Sequence, residues 1–249
     1  MGGLRGKVVA VDALTTADRE AMFALFARYY EDVDRRRFLA DLSEKDHVIV
    51  LRDATGIQGF STLQTLAVMH GGRLHRGVFS GDTVVDRAHW GTRLLGRHFL
   101  GYLFAQRLKR PFSPLWWFLI SKGYKTYLLM ANNFPEHWPR HEEATPPHRK
   151  ALLDAFSQTR FDRRYDATTG LITFPAESGR LKNGVAAASR ALALENPRIR
   201  FFVEQNPAWS EGVELACIAH MSWSMPLRYA LKAARDGWRR RPWLRLRRA

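Results

Sequence analysis

Between Ala17 and Leu42 apolar residues return every three or four positions: Met22, Phe26, Tyr29 and Val33, with Phe23, Leu25 and Tyr30 widening the stripe. That is the period of an amphipathic helix. Thr15 and Thr16 stand ahead of it as caps, and Asp18 lies in its first turn, where the helix dipole favours an acid. The charged run Glu31-Asp32-Val33-Asp34-Arg35-Arg36-Arg37 predicts a break or bend between two helices. The period then shortens. His47–Leu51 reads as a buried strand and residues 52–56 as a turn ending in Gly56. Ile57–Val68 reads as the second arm of a hairpin. Gly77–Val85 is a third strand, with Gly81 inside it. A helical pattern follows over His89–Lys109, stopped by Pro111 and Pro114, and Leu115–Ile120 is a strand too apolar to lie at an edge.

The Pro- and His-containing stretch 134–148 is the best boundary in the chain, and the pattern is weaker beyond it. His148–Phe161 predicts a helix, Leu171–Phe174 a short strand and Lys182–Leu194 an Ala-rich helix. Arg198–Glu204 predicts a late strand, and Gly212–Arg235 a helix bent at Pro226. These readings divide the chain into a core, 1–146, a segment 147–225 that completes the sheet or forms a second half, and a tail, 226–249.

Composition narrows the class. The chain has 249 residues, 46% apolar, 25% charged and 12% aromatic. Wholesale disorder is excluded, and the length suits one large domain or a domain with an appended part. A single cysteine, Cys217, excludes an internal disulfide and any multi-cysteine metal centre; within the apolar run Leu215–Ala219 it reads as a small buried hydrophobe. Gly6 stands where a myristoylation signal needs Ser or Thr, and no 18 consecutive residues are apolar. The expected location is cytoplasmic, with contact to a membrane surface left open.

The formal net charge is +15. Residues 226–249 hold nine basic residues against one acid, Asp236, a net +8, which leaves +7 on the other 225. In the tail arginines alternate with Trp238, Trp243, Leu244 and Leu246, a composition that suits an anionic membrane interface, an acidic carrier protein or, ranked below these, nucleic acid. No histidine pair has metalloprotease spacing, since Pro139 separates His137 from His141, and no metal is expected. There is no Gly-x-Ser-x-Gly elbow and no Walker A loop.

One turn carries chemistry. Asp86–Thr92 joins an apolar strand to a helix start, where amides without intrahelical partners and the helix dipole favour an anion. With the element order, the stretch Val84-Val85-Asp86-Arg87-Ala88-His89-Trp90-Gly91-Thr92-Arg93-Leu94-Leu95 resembles the GNAT superfamily of N-acyltransferases over roughly residues 15–135. That family has the turn Arg/Gln-x-x-Gly-x-Gly/Ala on the pyrophosphate of coenzyme A. Gly91 matches the first glycine, whereas Ala88 and Arg93 depart from the pattern.

The resemblance implies an α/β fold: a mixed, mostly antiparallel twisted sheet flanked by helices, here with a C-terminal extension ending in a basic helix or tail. It implies transfer of an acyl group from a thioester to an amine on a small molecule or peptide. The donor would be acyl-CoA or acetyl-CoA, or an acyl carrier protein in its place. Val85, Trp90, Gly91, Thr92, Arg93 and Leu94 would hold the donor. Asp82 would be the base, or else a solvated carboxylate beside Gly81. Tyr124 or Tyr127 would protonate the leaving thiolate, or else pack. Glu31 and Asp32 would meet the amine, or else form a solvated turn with Arg35–Arg37. Trp116, Trp117 and Phe118 line an acyl tunnel or fill the core. The competing reading is a non-catalytic protein on the same scaffold, docked by its tail to an anionic membrane or nucleic acid.

Overall fold

The computed structural model describes residues 3–175, 178–181 and 195–231. The helix expected over Lys182–Leu194 and the tail from residue 232 onward lie outside the described residues.

The chain runs β1 (Arg5–Ala10), α1 (Thr16–Tyr29), β2 (Tyr30–Val33), α2 (Arg35–Ser43), β3 (His47–Asp53), β4 (Gly56–His70), β5 (Arg73–Val85), α3 (Leu94–Lys109), β6 (Leu115–Ser121) and α4 (Tyr124–Ala131). It continues with β7 (His137–Trp138), α5 (Pro147–Phe161), β8 (Tyr165–Asp166), β9 (Leu171–Ile172), β10 (Ser178–Leu181), α6 (Pro197–Gln205) and β11 (Glu214–His220). The main sheet has the order β1-β3-β4-β5-β6-β11-β9-β8, with β7 also on β11. Every pairing in it is antiparallel except β5 with β6. This is the expected mixed, mostly antiparallel sheet flanked by helices.

Side-chain alternation along the strands sorts the core into layers. Ile49, Leu51, Leu63, Leu115, Trp117, Leu119 and Cys217 face α3, α4 and α6. On the opposite face Val48, Val50 and Phe60 meet α1 and α2, while Trp116, Phe118, Ala216 and Ile218 meet α5. Central strands covered on both faces must be apolar at every position. Leu115–Ile120 of β6 and Leu215–Ala219 of β11 are, and the Cys217 thiol, pushed well up by burial, is one of those fillers.

Caps fix the N-terminal helices. Thr15 and Asp18 form a reciprocal capping box on α1, and the Asp34 carboxylate accepts from the Arg37 amide at 2.7 Å to start α2. The bend expected at Glu31–Arg37 contains a short strand, β2, which pairs with β10.

Four readings change. β1 joins the sheet edge over Arg5–Ala10, where no element was expected. The helix expected from His89 begins at Leu94, after a 3-10 turn at Arg87–His89. Arg198–Glu204 is helical, because Asn196 caps it (Arg198 N to Asn196 Oδ1, 3.0 Å) and Pro197 occupies its first turn. Residues 214–220, expected in a helix, form β11, which lies antiparallel beside β6. The part of the chain after 146 therefore contributes to the same sheet as the part before it.

Candidate active site

β5 and β6 run parallel from Arg76 opposite Leu115 to Ser80 opposite Leu119, and there they part. Beyond that point β5 stays with β4, while β6 continues beside β11 as far as Ser121 opposite Leu215. At the divergence β5 carries one residue too many. Ser61 faces Thr83 and Leu63 faces Ser80, so Gly81 and Asp82 share the single partner Thr62. A bulge bends its strand and re-aims a side chain. Gly81 has to be glycine here, since a Cβ would come within 2.6 Å of Thr62 Oγ1.

A cavity of about 640 Å³ occupies the gap. One wall comes from Val85, the turn after it, the start of α3 and the apolar side chains Trp117, Leu129 and Phe134. Gly91 turns the chain with φ +85°, a left-handed conformation that favours glycine. Thr92 Oγ1 accepts from the Leu94 amide at 3.3 Å. Leu95 and Gly96, in the first turn of α3, face the cavity, and nothing lies within 4 Å of where a Gly96 Cβ would stand. First-turn amides have no intrahelical acceptor, so this wall presents N–H groups and the positive end of a 16-residue helix.

The other wall is ionic. Asp82, Glu214, Lys122, Tyr30, Asp41 and Arg160 line it. Lys122 pairs with the buried Glu214 at 3.3 Å, and its ammonium lies 5.4 Å from the centre of the Tyr30 ring. Asp41 takes the buried Lys45 at 2.6 Å and Arg160 at 2.8 Å. Desolvation and the neighbouring Asp41 charge push the Asp82 carboxyl up to about 6, against the pull of Lys45 and Lys122. Part of Asp82 opens on the cavity while protein surrounds the rest. Burial also raises Glu214. The Tyr30 phenol is driven well above its ordinary range, first by burial and then by the charges of Asp82 and Glu214, so it keeps its proton.

Of the residues singled out from sequence, Asp82, Val85, Thr92 and Arg93 line the cavity, and Gly91 shapes the turn beside it. Leu94 faces the α3 core instead. Trp90 is half exposed; its indole donates to Val85 O at 2.8 Å and lies between the cations of Arg87 and Lys125, so it clamps the end of β5. Tyr124 packs against the α3 core from the first turn of α4. Tyr127 is fully buried against Phe201 and Phe202, and its hydroxyl donates to Pro139 O at 3.2 Å. Neither tyrosine is brought to the cavity wall, because α4 turns them into the core; Tyr30 and Tyr229 are the phenols found there.

Glu31 and Asp32 are likewise off the wall. They sit on β2, where Glu31 stands opposite Arg180, and the acids that β2 and α2 supply to the cavity are Asp34 and Asp41. Trp117 reaches the cavity, whereas Trp116 and Phe118 point to the α5 side and fill the core. Sequence reasoning missed Glu214 and Lys122. A glutamate heading the apolar run 215–219, and a lysine directly after an all-apolar strand, were the available signals. Among the described residues no three His, Cys, Asp or Glu side chains gather as a metal site.

No protein-family model matches the chain, and no curated protein does. Solved structures do. An Enterococcus faecalis protein of unknown function, named a probable N-acyltransferase, is 14% identical over 52% of this chain, with a TM-score of 0.41. This chain spans about a third of that protein's length (32%). An Escherichia coli GNAT-family N-acetyltransferase in complex with CoA is 17% identical, covers 53% of this chain and 69% of its own, and has a TM-score of 0.38. A Pseudomonas aeruginosa acyl-CoA N-acyltransferase is 16% identical over 53% of this chain and 88% of its own, also at 0.38. Each of these similarities covers about half of this chain, at TM-scores of 0.38 to 0.41.

Proposed function

We propose that the protein transfers an acyl group from a coenzyme A thioester to an amine by direct attack. The parting of β5 and β6 is the observation that carries this reading. It opens a slot with helix amides on one side and a carboxyl of raised pKa on the other. A phosphate-bearing thioester suits the first wall, where Arg93 adds a cation beside the amides of α3. Its apolar arm suits Trp117, Leu129 and Phe134.

The amine enters from the ionic wall. Its nitrogen attacks the thioester carbon, and the carbon–sulfur bond breaks as the amide bond forms. Asp82 takes the proton the nitrogen sheds; a carboxyl at about 6 is ionised at neutral pH yet basic enough to help. The Tyr30 phenol keeps its proton and donates a hydrogen bond to the departing thiolate, which then takes its own proton from solvent. Lys122 ties up Glu214, which leaves Asp82 as the carboxyl open to the amine.

The test is thermal shift and calorimetry with acetyl-CoA and longer acyl-CoA thioesters, followed by free-thiol release against a panel of amines. Saturable binding that 3′-phosphoadenosine diphosphate competes for, with amine-dependent thiol release lost in Asp82→Asn, is expected. A chain that binds no thioester and releases no thiol overturns the reading.

A further inference from the structure

At the end of the sheet away from the cavity mouth, β4 turns into β5 through Gly71 and Gly72, and α3 runs out at Lys109. There the protein shows large apolar side chains to solvent. Phe112, just past α3, is 89% exposed, and Met69, Leu108, Trp223 and Leu227 are each about half exposed or more. Contacts place most of them together. Trp223 lies edge-on to Phe104, one turn before Leu108 on α3, and Arg107 stacks on Trp223 at 4.9 Å. Arg107 also donates to Ser113 O, and Arg73 donates to Phe112 O at 2.7 Å. Leu227 lies in the helical residues that begin at Met225, just after Trp223. Isolated exposed apolar residues are ordinary, but a group of this size is a docking feature.

The charge around it has one sign. Arg73, Arg76, Lys109 and Arg110 crowd the β4–β5 turn and the end of α3, with the buried Arg107 taken up by Trp223, and none of the four is ion-paired among the described residues. Their N–H groups go to carbonyls instead: Arg76 to Gln106 O at 2.9 Å and Arg110 O at 3.2 Å. These bonds close the C-terminal end of α3, where cations are favoured, and the charge itself is left without a partner. In sequence, Lys232–Ala249 follows and adds eight basic residues against Asp236, with Trp238 and Trp243 between them.

We infer that this face docks on an anionic lipid bilayer, with Phe112 and Trp223 entering the interface and the arginines holding lipid phosphates. Exposed aromatic and aliphatic side chains ringed by unpaired cations are the complement of an acidic headgroup layer. An acidic protein would answer the charge but gives no reason for a phenylalanine standing almost free in water. The inference does not depend on acyl transfer.

The experiment is co-sedimentation of the full chain with vesicles of phosphatidylcholine alone, or of phosphatidylcholine with phosphatidylglycerol. Binding to the second kind only is expected, weakening as salt rises. Phe112→Ser, whose side chain touches little, should leave the melting temperature unchanged and weaken binding about tenfold. Arg110→Gln should weaken it about fivefold, the share of one interfacial cation. Equal retention by neutral vesicles, or none by either, overturns the inference. So does binding that both substitutions leave intact, which would place it in residues 232–249 alone. Variant-sensitive binding to an acidic carrier protein without vesicle binding overturns it as well.

Discussion

The two walls of the cavity hold a ligand by different means. The wall at the start of α3 works through backbone and shape, with first-turn amides, a glycine in left-handed conformation and apolar side chains around Trp117. The wall across from it works through side-chain charge, with Asp82, Glu214, Lys122, Asp41 and Arg160 in one network. A backbone wall is altered by bulk and is indifferent to pH. A charged wall keeps its shape under conservative substitution but changes with every proton. Each mutation below is chosen to affect one wall and spare the other.

The largest effect falls on Asp82. Asp82→Asn should lower kcat by about 10²- to 10⁴-fold, the usual worth of a positioned base, and remove the limb of the pH–rate profile near 6. It should also stabilise the fold. The folded carboxyl titrates near 6 against an ordinary 3.8, so between those values the native state holds the extra proton and stability falls as pH rises. Asn escapes that loss: melting curves should rise above pH 6 and coincide with the parent's below about pH 4. A variant that is both inactive and less stable at pH 7 would contradict the assignment.

Lys122→Met comes next. It strips the buried Glu214 of its partner at 3.3 Å, and removing one member of a buried pair costs about 3–5 kcal/mol. Glu214 is raised already and rises further, so the deficit should be worst at neutral to alkaline pH and shrink as acid protonates the carboxyl. Denaturant melts at pH 5 and pH 8 read this directly.

The opposite wall is sharpened by Gly96→Leu. The space beside Gly96 is open cavity, and leucine is a better helix former by about 1 kcal/mol, so the melting temperature should hold or rise. Thioester affinity should nevertheless fall at least tenfold in calorimetry, with amine KM little changed. If both walls lose affinity together, they are not separate.

Phenols give the smallest effects. Tyr30→Phe should cost about tenfold in kcat, the worth of one hydrogen bond to the departing sulfur. Tyr127→Phe should leave kcat alone and cost about 1 kcal/mol of stability, the worth of its bond to Pro139 O.

How much of this could be read from the sequence depends on whether an element is buried on one face or two. α1 is covered on one side and its period shows it, whereas the β3–β4 hairpin, buried on both faces over Val48–Leu51, is marked by its length and by the turn ending in Gly56. β11 is covered on both, and Leu215–Ala219 has no period to separate a buried strand from a buried helix. In α6 the apolar cluster of Arg198–Glu204 suggested a strand, although Asn196 and Pro197 before it spell a helix start. The site divides in the same way. The α3 turn is a local motif and was legible. Glu214 and Lys122 face each other only because β11 returns beside β6, some 90 residues later in the chain, and no local pattern records that. Tyr127 was a fair candidate by position, but its orientation is set by α6, which the sequence had placed in a strand.

The bulge at Gly81–Asp82 has a consequence for how this chain can change length. On either side of it β4 and β5 are regularly paired, their registers offset by one residue. Deleting Gly81 would let the two registers merge into one unbroken ladder. Thr83, Val84 and Val85 would keep their partners on β4, and Asp82 alone would stand opposite Thr62 in a regular pair. Val84 would stay with Phe60 in the layer under α1 and α2, but the strand would lose its bulge and no longer bend away from β6. Many surface loops absorb the loss of a residue at little cost. This strand interior should not, since the opening between β5 and β6 depends on two neighbouring strands differing by one in their count.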